Sequence, residues 1–105
     1  MPESCCVILC TTSSRDEAEQ LAELLVTRKL AACVQIAAVS SIYIWDGDLH
    51  RDAEHLLLIK TATRRYDEVE AAIRENHSYE VPEIVQLPIE SGLPAYLDWI
   101  SESTA

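Results

Sequence analysis

With 105 residues, 49% of them hydrophobic, and a formal net charge of −10, the chain is sized for a single domain, residues 1–105. A domain this small buries proportionally less surface than a larger protein, so self-association is a natural supplement. The acidic balance argues against nucleic acid or an anionic membrane as partner, because affinity for either comes largely from clustered Lys and Arg; no apolar run approaches the roughly 20 residues of a membrane span, and the start Met1-Pro2-Glu3-Ser4 has no basic signal-peptide region, so the expected compartment is the cytoplasm.

Ser4 to Thr12, SCCVILCTT, is apolar on both parities and reads as a central strand covered on each face. Cys6, Ile8 and Cys10 share one side, Cys5, Val7 and Leu9 the other. Cys6 and Cys10 stand roughly 13 Å apart along such a strand and cannot chelate one ion together. The four cysteines, Cys5, Cys6, Cys10 and Cys33, have neither the spacing of a disulfide framework nor a CxxC pair, so they are expected as free thiols, mostly small buried hydrophobes. Ser14 with Glu17 forms a capping box, and Ala18, Leu21, Ala22 and Leu25 follow at helical spacing, predicting a helix from about 15 to 29.

Ala32 to Trp45 is rich in strand formers, Asp46-Gly47 is a two-residue hairpin turn, and Leu49 to Thr61 returns as the partner arm. Both arms exceed the usual strand of about five or six residues. They are apolar on both parities, with Val34, Ile36, Ile42 and Ile44 on one and Val39, Tyr43 and Trp45 on the other. One small domain cannot cover both faces over that length, so the hairpin is expected to reach beyond its own domain and pack against other copies of the chain. Thr63 is the expected cap of a second helix to about Asn76, with Tyr66, Val69, Ala72 and Ile73 on its inner stripe and Arg64 and Arg65 among its solvated charges. Glu83 to Leu87 reads as a fourth strand, and Gly92 and Pro94 open a short terminal helix. The order βαββαβ plus a C-terminal helix predicts an α+β protein: a ferredoxin-like antiparallel sheet with helices on one face and a long hairpin between its second and third strands.

Asn76 to Pro88, NHSYEVPEIVQLP, carries more chemistry than a connector needs. Pro82 holds Val81 extended, so His77 to Glu83 is expected as a stiffened loop. The topology brings the end of the second helix, with His77, to where the first strand ends near Cys10; Cys33 lies toward the opposite edge and reaches that site only across a subunit contact. A thiolate with an imidazole suits copper or zinc, with Glu80 or Glu83 close in sequence; the alternative is a core Cys10 and a His77 bonded to backbone. Catalysis is not expected, since the chain holds only Gly47 and Gly92 and no oxyanion-hole segment accompanies Cys10. His50 and His55 have opposite parity and cannot share one ligand set. Lys60, closing the run Leu56 to Ile59, either snorkels or projects into a cleft to neutralise Glu83 or an acidic ligand. Tyr43 and Trp45 are interface candidates.

The segments VILCTT around Cys10, KLAACV around Cys33, SSIYIWDG through the turn, LLLIKT, NHSYEVPEIVQLPI and YLDWI occur in an order and spacing by which the chain resembles the CutA divalent-cation tolerance family over nearly its full length. The resemblance implies a ferredoxin-like protomer in a tight homotrimer built like the PII signalling proteins, with hairpin strands pairing between subunits. It also implies tolerance to divalent metal ions and binding of copper, with no established reaction. Cys10 and His77 match the family's metal-binding positions, and Cys33 matches another recurring cysteine. Asn76 stands where some members carry a second histidine, Ser78 where the loop often has Pro, and Ala37-Ala38 where a Pro-Gly bend is frequent, so the second strand is expected to run straighter. A second expectation follows from the likeness to PII proteins: a trimeric sensor taking a small acidic metabolite in intersubunit clefts near Trp45, Lys60, Tyr79 and Glu83.

Overall fold

The computed structural model describes residues 3–105. Strand β1 spans Cys5–Thr12, helix α1 Arg15–Thr27, strands β2 and β3 Cys33–Trp45 and Asp48–Ala62, helix α2 Tyr66–Asn76, strand β4 Ile84–Pro88 and helix α3 Pro94–Ser103. The sheet order is β2-β3-β1-β4, with every neighbouring pair antiparallel. This is the expected ferredoxin-like α+β arrangement.

Local chemistry explains most of the element boundaries. Ser14 is extended and its hydroxyl accepts the Glu17 N–H at 3.1 Å, capping α1. The reciprocal half of the capping box is absent, because the Glu17 carboxylate is engaged elsewhere. Helix α1 stops at Thr27 rather than 29: Lys29 turns left-handed at φ 59°, and the N–H groups of Leu30 and Ala31 fold back onto the Leu25 carbonyl. Thr63 does not cap α2. Its N–H donates to the Ser4 carbonyl at 2.8 Å, a 3₁₀ turn occupies Thr63–Arg65, and the helix begins at Tyr66 without a side-chain cap. Arg64 and Arg65 are not simply solvated charges either: both donate to the Thr104 carbonyl, at 3.0 and 2.9 Å, and tie the end of the chain to the start of α2.

Cys6, Ile8 and Cys10 of β1 and Leu57 and Ile59 of β3 point to the face covered by α1 and α2, where they bury Leu21, Leu25, Val69 and Ile73. Helix α3 lies outside the two βαβ halves. It lies over the opposite face, with the Cys5 thiol 3.8 Å from the Leu97 carbonyl and Lys60 Nζ 5.6 Å from the centre of the Tyr96 ring. The rest of that second face is open, and Val85 and Leu87 are exposed on it.

The hairpin turns through Asp46 (φ 52°) and Gly47 (φ 82°), both left-handed as a tight primed turn requires. Strand β2 runs 13 residues without a break through Ala37 and Ala38. It pairs with β3 from Cys33↔Lys60 to Trp45↔Asp48, whereas β1 pairs with β3 only from Cys5↔Ala62 to Thr12↔His55. From Val39 and Glu54 outward the hairpin is therefore a two-stranded arm with no third strand, which stretches the long axis to 48 Å and leaves Ile44 70% and Trp45 52% exposed.

Candidate functional site

Thr11 is the last residue but one of β1, and its carbonyl is the point on which a thiol and an imidazole converge. Helix α2 ends at Asn76, whose side-chain amide donates to the Ala72 carbonyl at 2.8 Å, and His77 then leaves in extended conformation with its ring turned back toward the sheet. His77 Nε2 lies 2.7 Å from the Thr11 carbonyl oxygen, and the Tyr79 N–H donates to Nδ1 at 3.0 Å. A carbonyl only accepts and an N–H only donates, so Nε2 carries the proton and Nδ1 the lone pair: the ring is the neutral Nε2–H tautomer. Its side chain is 0% exposed and packs at 4.8 Å against the Tyr79 ring. Glu17 locks the same bend, accepting the Ser78 N–H at 2.7 Å and its hydroxyl at 3.0 Å. Its 3.7 Å approach to His77 Nδ1 is not an ion pair, since that nitrogen is already an acceptor.

Cys10 is 0% exposed, with Sγ 3.8 Å from the same Thr11 carbonyl. Burial, reinforced by the charges of Glu83 and Glu17, pushes its thiol up to about 12, so it is protonated at neutral pH. Sulfur and imidazole are donors that suit a soft or borderline cation, but in this closed arrangement the thiol is protonated and the imidazole lone pair on Nδ1 is taken by the Tyr79 N–H. Among the described residues no group of three or more His, Cys, Asp or Glu side chains is placed to hold a metal ion. Cys33 sits opposite Lys60 in the ladder, on the other face of the sheet from Cys10, and all four cysteines are free.

A groove of about 730 Å³ opens between the arm and the 77–83 segment, with Tyr43, Trp45, Glu54, Tyr79, Glu80 and Glu83 on its walls. Three of the expected cleft residues, Trp45, Tyr79 and Glu83, thus come together. Lys60 does not join them; it lies against Tyr96 toward the far end of the sheet, and the groove lining contains no Lys, Arg or His. Glu54 was not anticipated. It is 7% exposed and accepts the Tyr79 hydroxyl at 2.7 Å. Burial and the adjacent Glu54 carboxylate raise the Tyr79 phenol well above its ordinary value, keeping it a donor. The signal for Glu54 was its parity, shared with Leu56 and Leu58 on one side of β3. His50 stacks on Tyr43 at 5.3 Å on the arm, while His55 lies in the ladder opposite Thr12, with Nδ1 buried and unbonded.

Fold and site together define an α+β protein of the ferredoxin-like class, with a soft-donor pair closed under a loop beside an acidic groove. Residues 6–103 match the family described as CutA1 divalent ion tolerance protein. The divalent-cation tolerance protein CutA of Thermus thermophilus is 44% identical over 99 residues, covering 93% of this chain and 96% of that one. The structure of the periplasmic divalent cation tolerance protein CutA from Archaeoglobus fulgidus superposes with a TM-score of 0.94 at 38% identity, covering 96% of this chain and 99% of the other. The crystal structure of CutA1 from Oryza sativa superposes with a TM-score of 0.96 at 37% identity, covering 99% and 96%; the chain spans 56% of the full rice protein CutA 1, chloroplastic. The chain belongs to the CutA1 divalent ion tolerance family.

Proposed function

We propose that this protein serves divalent-cation tolerance as a homotrimer that takes copper as cargo, with zinc as the nearest substitute, at Cys10 and His77. The observation that carries the reading is the meeting of the Cys10 thiol and the His77 imidazole at one carbonyl, Thr11 O, at 3.8 and 2.7 Å. Because both groups are closed in the resting fold, uptake requires the 77–83 segment to lift, and ligation then releases the thiol proton. Self-association is supported by the unpaired arm and by the apolar sheet face left open beside α3. Four free thiols suit a reducing compartment, the cytoplasm. No catalytic step belongs to this function.

Copper titration of the purified protein followed by dialysis tests the site. Wild type is expected to retain copper and the Cys10→Ala, His77→Ala double variant to lose it; an unchanged stoichiometry in the double variant removes the assignment.

A further inference from the structure

Tyr79 is held at both ends. Its N–H donates to His77 Nδ1 at 3.0 Å, and its ring packs 4.8 Å from the His77 ring. Its hydroxyl donates to Glu54 Oε2 at 2.7 Å. Glu54 stands one residue beyond His55, the last residue of β3 that β1 pairs, and is matched with Val39 on the first rung of the free arm. One residue therefore spans from the histidine loop to the root of the hairpin arm.

Neither end lets go at little cost. Glu54 is 7% exposed, no Lys, Arg or His pairs with it, and the Tyr79 hydroxyl is its one side-chain partner among the described residues. Removing that donor leaves a buried carboxylate unpaired, which costs more than the bond itself is worth. Glu54 then gains by turning to water, which unpacks the rung it shares with Val39. At the loop end, Ser78 hangs from Glu17 by two hydrogen bonds, at 2.7 and 3.0 Å, and Tyr79 follows it in the chain. Lifting the loop off Thr11 and Glu17 thus draws the Tyr79 hydroxyl away from Glu54. Closed loop with buried Glu54, and lifted loop with solvated Glu54, are the two matched arrangements that coupling between separate segments requires.

We propose that Tyr79 couples closure of the 77–83 loop to the set of the hairpin arm: lifting the loop loosens the arm at Glu54, and fixing the arm holds the loop shut. The coupling itself needs no metal. It meets the function proposed above at one point: since uptake at Cys10 and His77 lifts the loop, uptake and the arm's hold on a neighbouring copy weaken each other by the same factor. That consequence rests on the copper reading.

Amide hydrogen exchange on the intact, metal-free protein, resolved by peptide, tests the coupling through a double-mutant cycle. Glu17→Ala loosens the loop without touching Tyr79 or Glu54. It is expected to speed exchange at the arm root, around Val39 and Glu54, by several-fold; in a Tyr79→Phe background, where the link is already cut, the same substitution is expected to add nothing. Glu54→Leu, which removes the buried carboxylate and leaves the tyrosine in place, carries the same cycle where thermal midpoints show that Tyr79→Phe does not fold. Arm-root exchange in Glu17→Ala at the wild-type rate overturns the proposal, as does an equal acceleration in both backgrounds, the mark of a merely structural Tyr79. Copper added to wild type is expected to speed the same amides, and bound copper that leaves them unchanged also overturns it. Wild type that takes up no copper removes the functional reading instead, and the metal-free cycle still decides the coupling.

Discussion

His77 and Thr11, 66 residues apart in sequence, are joined by a 2.7 Å hydrogen bond from a fully buried imidazole to a strand carbonyl. That bond closes the end of β1 and, through Tyr79 N–H on the other ring nitrogen, fixes the loop that follows α2. Removing the ring in His77→Ala leaves a buried carbonyl and an amide unpaired, a loss of about 2–4 kcal/mol. The expected outcome in a thermal scan is a midpoint lower by about 10 °C or more, together with faster hydrogen exchange at the Tyr79 amide. A variant that melts with wild type would show that the loop is held by other contacts.

Glu17 offers a way to loosen the same loop without touching Cys10 or His77. Its carboxylate accepts two hydrogen bonds from Ser78, so Glu17→Ala is expected to raise the rate of copper uptake while leaving the final stoichiometry unchanged. Stopped-flow absorbance reads the rate. Identical kinetics in the variant would place the cation outside the closed loop.

The cysteines carry a pH signature with a definite sign. Burial raises Cys10 from an ordinary thiol value of 9.0 to about 12, and raises Cys5 and Cys6 as well. The fold therefore retains protons that the unfolded chain releases. This contribution is fully present below pH 9.0 and is lost as pH climbs toward about 12. Denaturant midpoints measured across that window should fall with pH, and less steeply in Cys10→Ala. At neutral pH iodoacetamide should label half-exposed Cys33 first and buried Cys10 last; early labelling of Cys10 by peptide mass mapping would contradict its burial.

Placing charges on the open sheet face addresses assembly. Val85 and Leu87 are exposed on β4, on the side that α1 and α2 do not cover. Val85→Asp combined with Leu87→Asp is expected to shift the light-scattering mass from three chains toward one. Wild type scattering as a single chain would remove the trimer from the functional reading.

How far the sequence could be read follows the range of the interactions involved. The hairpin was legible because the Asp46-Gly47 turn and the strand-forming runs on either side of it are local signals, and the Cys10–His77 proximity followed from helix direction alone. Thr63 was misassigned as a cap because a 3₁₀ turn over Thr63–Arg65, anchored by the Thr63 N–H on the distant Ser4 carbonyl, comes before α2 and puts Arg65 at the cap position. Arg64 and Arg65 read as solvated charges, yet they hold a carbonyl about 40 residues away. Lys60 read from the sequence either as snorkelling or as reaching a cleft, and within one chain it lies against the Tyr96 ring. Glu54 passed unnoticed because its parity with Leu56 and Leu58 marks its side of β3 but not its burial, which comes with the approach of the distant Tyr79.

The arm also has a kinetic meaning. Its two strands pair with each other through a tight turn, so it can form within about microseconds, on the usual hairpin timescale, before any long-range contact exists. In the trimer proposed above, the apolar side chains near its tip gain cover only when another subunit arrives. Refolding should therefore show a rapid unimolecular phase indifferent to dilution, followed by a second-order phase that slows as the solution is diluted, with the free subunit exposing a greasy prong in the interval.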